Sequence, residues 1–138
     1  PLHRLFSPRS GIHFYTTKAT EVDNAVRVRN YNYETLAAHI LSEETECTVP
    51  LYRIHRGIKH LYTIDLNEKE AVQANSDVHV GHGVVGYVHA TQQPGTVPLY
   101  RIFNPRTDAH LFTTNINEKE SLLKVGWADE GVSCYVYL

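Results

Sequence analysis

One pattern recurs three times along the 138-residue chain, and this triplication restricts the possible folds more than any other feature. Pro1-Leu2-His3-Arg4, Pro50-Leu51-Tyr52-Arg53 and Pro98-Leu99-Tyr100-Arg101 open the three copies. Each is followed by a second motif, His13-Phe14-Tyr15-Thr16, His60-Leu61-Tyr62-Thr63 or His110-Leu111-Phe112-Thr113. An acid comes next, Glu21, Glu68 or Glu118, eight residues after the histidine in every copy. A period of 48 to 49 residues means one supersecondary unit built repeatedly, with the core shared between copies. The units span 1–49, 50–97 and 98–138 and predict a single domain.

Spacing separates framework from variation. Arginine to histidine is nine, seven and nine residues, so one hairpin turn is shorter. The acid lies 13, 14 and 12 residues before Glu34, His82 and Glu130. Loops that vary on a constant framework are where binding usually resides.

Each Pro-Leu motif reads as a strand beginning at proline, and the His motif as its returning partner. Asn67-Glu68 and Asn117-Glu118 read as helix N-caps, with a weaker version at Thr20-Glu21 and a stop at Gly126. Tyr31–Tyr33 and His79–Gly81 suggest a third strand, and Val84–Val88 a fourth. Neither terminal unit resembles the polar cap of an open solenoid. The reading is an all-β chain with short helices closed with pseudo-threefold symmetry. A β-trefoil is the expected form, and a three-bladed propeller-like arrangement is the alternative.

Composition excludes several functions. The net charge of −2 offers no footprint for nucleic acid. No apolar run approaches the roughly 20 residues of a membrane-spanning helix. No charged leader precedes an apolar segment, which leaves cytoplasmic residence and export both open. Two cysteines, Cys47 and Cys134, make no disulfide framework and read as free thiols. Nine histidines invite a metal or catalytic reading, but His79, His82 and His89 would diverge on a strand and no zinc motif occurs. There is no nucleophile elbow either, so neither catalysis, metal nor cofactor is expected.

His13, His60 and His110 either fix their hairpins by bonding a backbone group or donate to a ligand. Arg4, Arg53 and Arg101 need a carboxylate each, and Glu21, Glu68 and Glu118 are the candidate partners. The sharper candidates lie in the loops. Tyr31, His79 and Trp127 share one register position, and Glu34, His82 and Glu130 another. Sugar recognition needs an aromatic face and planar polar partners, which these positions combine. Trp127 with Asp129, and Asp108 with His110, give unit three the richest expected site.

The paired motifs resemble a repeat family of fungal and bacterial proteins. The likeness extends to the linker Thr91–Val97 and to Gly86-Tyr87-Val88. That family resembles an accessory repeat attached to secreted hydrolases, and its small standalone fungal versions resemble lectins. His3 in place of Tyr, the missing Asn-Pro turn of unit two and His82 in place of Glu depart from its pattern. The expected function is a non-enzymatic lectin, monomeric or weakly dimeric, with up to three unequal sites for glycans or glycoproteins. The rival is a protein-binding module, such as a protease inhibitor acting through the shortened hairpin at His55–Lys59.

Overall fold

The computed structural model describes residues 1–74 and 80–138, with side chains outside 75–82. Each unit contributes a hairpin, a nine-residue helix and a returning strand. Unit one has β1 (Leu2–Ser7), β2 (Ile12–Thr16), α1 (Ala19–Arg27) and β3 (Asn32–Ala38). Unit two has β4 (Val49–Arg56), β5 (Lys59–Thr63), α2 (Leu66–Ala74) and β6 (Val80–Val88). Unit three has β7 (Val97–Asn104), β8 (Ala109–Thr113), α3 (Ile116–Lys124) and β9 (Ala128–Val136). In each antiparallel sheet the first strand is central, the hairpin partner lies on one side and the returning strand on the other.

Asn32-Tyr33 and Val80-Gly81, expected in a third strand, continue into the expected fourth as one strand, while Tyr31 precedes it and His79 lies outside the described residues. The returning strand carries a bulge opposite the start of the central strand, between Leu2 and His3, Leu51 and Tyr52, and Leu99 and Tyr100. An extra residue breaks the period-two alternation, so one bulged strand reads as two. Each unit therefore has three strands, and the described residues close no barrel such as a trefoil requires.

The sheets are instead joined by single backbone bridges, His39 to Tyr137, Leu41 to Tyr87 and His89 to Tyr135. The three bridges are cyclically equivalent, and the first links unit three to unit one. Close approach there dictates residue size. A Cβ on Gly86 would lie 2.6 Å from Ile40 Cδ1 and 2.8 Å from the Leu41 carbonyl oxygen, so only glycine fits.

The hairpin strands meet at the centre. Tyr15, Tyr62 and Phe112 pack edge to face, with ring centroids 5.2, 5.5 and 5.6 Å apart. The Tyr15 hydroxyl donates to the Phe112 carbonyl and accepts from its N–H, and Tyr62 does the same to Tyr15. Phe112 has no hydroxyl to complete the cycle. Leu2, Leu51 and Leu99, each 1% exposed, surround the triad, and each burial contributes about 2 kcal/mol. Cys134 lies in the same core, where burial pushes its thiol up to about 12; both cysteines are free.

The helix caps fall two residues earlier than expected. Asn115 and Asp65 accept from the backbone N–H groups of Asn117 and Glu118, and of Asn67 and Glu68. Asn67 and Asn117 thus lie within the first turn. The first helix is preceded by Lys18, which gives no side-chain cap.

Candidate functional site

Polar contacts between units start from the repeated arginines. Arg4 forks onto Glu118 at 2.8 and 2.9 Å, Arg53 onto Glu21 at 3.1 and 2.9 Å, and Arg101 onto Glu68 at 2.8 Å twice. Every pair crosses a unit boundary, and each glutamate comes from the first turn of the preceding unit's helix. Bidentate geometry of this kind is strong and directional. Hydrogen bonds from Arg4 hold Glu118 below the usual carboxylate range, and those from Arg101 bring Glu68 to about 2. Burial would raise Glu21, but hydrogen bonds from Arg53 and Thr16 outweigh it and lower the group. The arginines are a closing framework, as the paired spacing predicts.

A second carboxylate completes this framework in units one and three. Glu34 accepts from Arg4 Nε and lies 3.0 Å from His13 Nε2; Glu130 accepts from Arg101 Nε and lies 2.8 Å from His110 Nε2. Both glutamates fall at a second bulge of the returning strand, which aims them inward. The histidines therefore bond a carboxylate, not the backbone group expected in the hairpin. Phe6 stacks on His13 at 4.8 Å and Phe103 on His110 at 5.0 Å.

Unit two departs from this arrangement in three ways. Its returning strand has no second bulge, and His82 pairs in register with Ile54. The side chain of His82, and all of His79, lie outside the described residues. His55 stands where the other units have phenylalanine, 5.9 Å from the His60 ring. The turn holds only Gly57 and Ile58, with Gly57 at φ +63 as the first residue of a two-residue hairpin requires. His60 Nδ1, like His13 Nδ1, is buried without a hydrogen-bond partner among the described residues. Burial, then the neighbouring Arg53 charge, pushes His60 down to about 4, so its ring is neutral near pH 7.

The unit-two hairpin is bordered by open space. A cavity of about 360 Å³ lies between α1 and the unit-two hairpin. Phe14, Tyr31, His55 and His60 supply its aromatic walls, and Thr20, Asn24 and Arg29 its polar rim. Phe14 lies 4.9 Å from His60 and 6.0 Å from Tyr31. The Tyr31 N–H donates to the Ala25 carbonyl beyond the helix, which folds the ring back over Phe14. Two larger clefts of about 490 and 680 Å³ share the same hairpin.

Of the expected site residues, Tyr31 and His60 share this cavity. Asp108 and His110 line the adjacent 490 Å³ cleft, where Asp108 pairs with Lys59 at 2.9 Å. His13 and Glu34 bond within the framework, and Glu130, bonded to Arg101 and His110, also lines the cleft beside Arg101. The rich unit-three site is not assembled. Trp127 is half-buried with its backbone N–H on the Leu122 carbonyl, and Asp129 accepts from Lys119 and the Gly131 backbone N–H. Neither lines the cavities at the unit-two hairpin.

Arg29 and Asn24 carry no expectation from the sequence, and His55 enters there only within the hairpin of the rival protein-binding reading. The signal for Arg29 lies in spacing: α1 is capped by Val28 as α3 is by Val125, and Arg29 is the extra residue of the longer loop before Asn30, whose φ of +58 matches the left-handed turn at Gly126.

The fold and site define a class: a three-unit, mostly β chain closed by inter-unit ion pairs, with the most aromatic of its inter-unit cavities between units one and two. Residues 1–137 match the family described as "Domain of unknown function (DUF5648)", and the chain belongs to it. No curated protein and no solved structure matches.

Proposed function

We propose that this protein is a carbohydrate-binding protein without catalytic activity, and that its principal site is the cavity between units one and two. The observation that carries this reading is the combination of Tyr31, Phe14 and two histidine rings with the polar groups of Asn24, Thr20 and Arg29. Aromatic faces take the C–H side of a pyranose, and planar amide and guanidinium groups take its hydroxyls. The cavity falls within the usual range of small-ligand sites. Further clefts beside Arg101 and beside Arg4, of about 220 and 340 Å³, provide unequal secondary sites. Several weak sites on one rigid ring gain strength by avidity. The same geometry supports the propeller-like arrangement over the trefoil.

A glycan array followed by calorimetry tests the reading. Tyr31→Ala is expected to weaken binding roughly tenfold or more, the scale of one stacked ring in a pocket. Trp127→Ala should leave affinity within about twofold. Silence of the wild type across the array and in calorimetry would sink the proposal. A second reading, a protein-binding module such as an inhibitor, is favoured by Ile58, 63% exposed at the hairpin tip. Protein capture that depends on Ile58 and not on Tyr31 would select it.

A further inference from the structure

Charge around the unit-two hairpin narrows the ligand class. The chain as a whole carries a formal charge of −2, yet the 680 Å³ cleft is lined by Arg9, Arg29 and Lys59 with no carboxylate among its lining residues. This cleft and the cavity beside α1 share Arg29, Tyr31 and His60, so they form one continuous depression. The cavity contains one acid, Glu21, and both its oxygens are occupied by Arg53.

Arg29 is the pivot. It is exposed, lies two residues beyond α1, and makes no ion pair among the described residues. Its neighbour on the helix, Arg27, is neutralised by Asp23 at 2.9 Å. Lys59 is shared with Asp108, while Arg9 has no carboxylate partner among the described residues. A guanidinium left unpaired at the junction of two clefts presents a planar fork to an incoming carboxylate or sulfate.

We infer that the ligand of this depression is an acidic saccharide, with a sugar ring against Tyr31 and its carboxylate or sulfate on Arg29, backed by Arg9. The inference rests on the carbohydrate-binding reading. It adds a charge requirement that the reading by itself does not contain.

The test compares a galacturonate trisaccharide, a sulfated glucosamine oligosaccharide and a neutral galactose trisaccharide by calorimetry. Polyglutamate serves as a non-sugar polyanion. At least one acidic sugar is expected to bind roughly tenfold or more tighter than the neutral one, the order carried by a charge-assisted pair. The preference should fall between about 50 and about 300 mM salt, as exposed charges are screened. Arg29→Gln should bring the acidic-to-neutral ratio close to one. Arg27→Gln removes the same charge two residues away and should leave that ratio unchanged. Which acidic arm responds distinguishes a uronate from a sulfated sugar.

Neutral sugars binding as well as acidic ones would overturn the charge requirement and leave the lectin reading standing. Equal losses from Arg27→Gln and Arg29→Gln, or polyglutamate binding as tightly as the sugars, would reduce the patch to general ion exchange. Binding to none of the saccharides would overturn both readings together. Thermal unfolding of each variant establishes that the fold is intact.

Discussion

Units one and three are built alike, and unit two keeps their backbone while dropping their inner polar shell. In the first two, a bulged glutamate joins the arginine fork to the hairpin histidine, and a phenylalanine covers the imidazole. In unit two the arginine retains only its inter-unit partner among the described residues, and the histidine loses both carboxylate and phenylalanine. One inter-unit ion pair therefore suffices to close the ring. The second carboxylate is an addition, and the cavity lined by Tyr31 lies against the unit that lacks it.

The sharpest way to break this comparison is to remove the arginines one at a time. Arg101→Ala strands two carboxylates, Glu68 and Glu130, and unsettles His110; Arg53→Ala strands Glu21 alone. These glutamates remain about a third exposed, so the losses fall below those of a fully buried pair. The expected costs are about 2–3 kcal/mol for Arg101→Ala and about 1–2 kcal/mol for Arg53→Ala, measured by urea unfolding. Equal costs would mean that the second carboxylate adds nothing and that the units differ only in shape.

Protonation distinguishes the units next. Burial lowers all three hairpin histidines, but Glu34 and Glu130 partly offset it for His13 and His110. His60 has no such offset in the first rank and is brought from 6.5 to about 4. The unfolded chain then takes up its proton first on acidification. Stability from neutral His60 is complete above about pH 6.5 and is lost as pH falls towards 4, on the order of 2 kcal/mol in all. His60→Gln should flatten the stability profile over that window, while His13→Gln should flatten it less. Below about pH 4 all variants should lose stability in parallel, because the unfolded chain then takes up a proton that Glu68, held at about 2 in the fold, does not. An unchanged profile in His60→Gln would show that His60 is not a buried neutral base.

These contrasts mark what was legible in the sequence. The arginine–glutamate pairs could be read because eight-residue spacing from histidine to acid is constant, and a constant interval fixes which helix turn carries the acid. That the pairs cross units could not be read, since spacing within a copy is silent on which copy it faces. Tyr31 was legible as an aromatic in a variable loop. Glu34 and Glu130 were misplaced for a local reason: a bulge turns a side chain inward without changing chain length, so they looked like loop residues free for a ligand. Trp127 looked like the strongest sugar platform by residue type. Its actual position follows from Gly126, which turns the chain behind α3, where no residue type signals burial. Arg29 has no comparable signal by residue type, because a basic residue near a helix end is ordinary compensation of the helix dipole.

The smallest expected change in stability carries the most functional information. Converting His55 to phenylalanine gives unit two the ring that Phe6 and Phe103 supply in its neighbours, where they sit about 5 Å from the histidine. The added aromatic contact should stabilise the fold by roughly 0.5 kcal/mol, within the range for such pairs. Because His55 lines the cavity, the larger ring should also fill part of it and exclude a pyranose from the Tyr31 face. Saccharide affinity should therefore fall sharply in a variant that unfolds no more easily than the wild type. A drop in both affinity and stability would mean that His55 holds the hairpin in place. Affinity retained alongside higher stability would move the site out of this cavity and towards the inter-unit clefts beside Arg4 and Arg101. The expected pairing of opposite signs is the outcome that makes unit two a site created by leaving framework out.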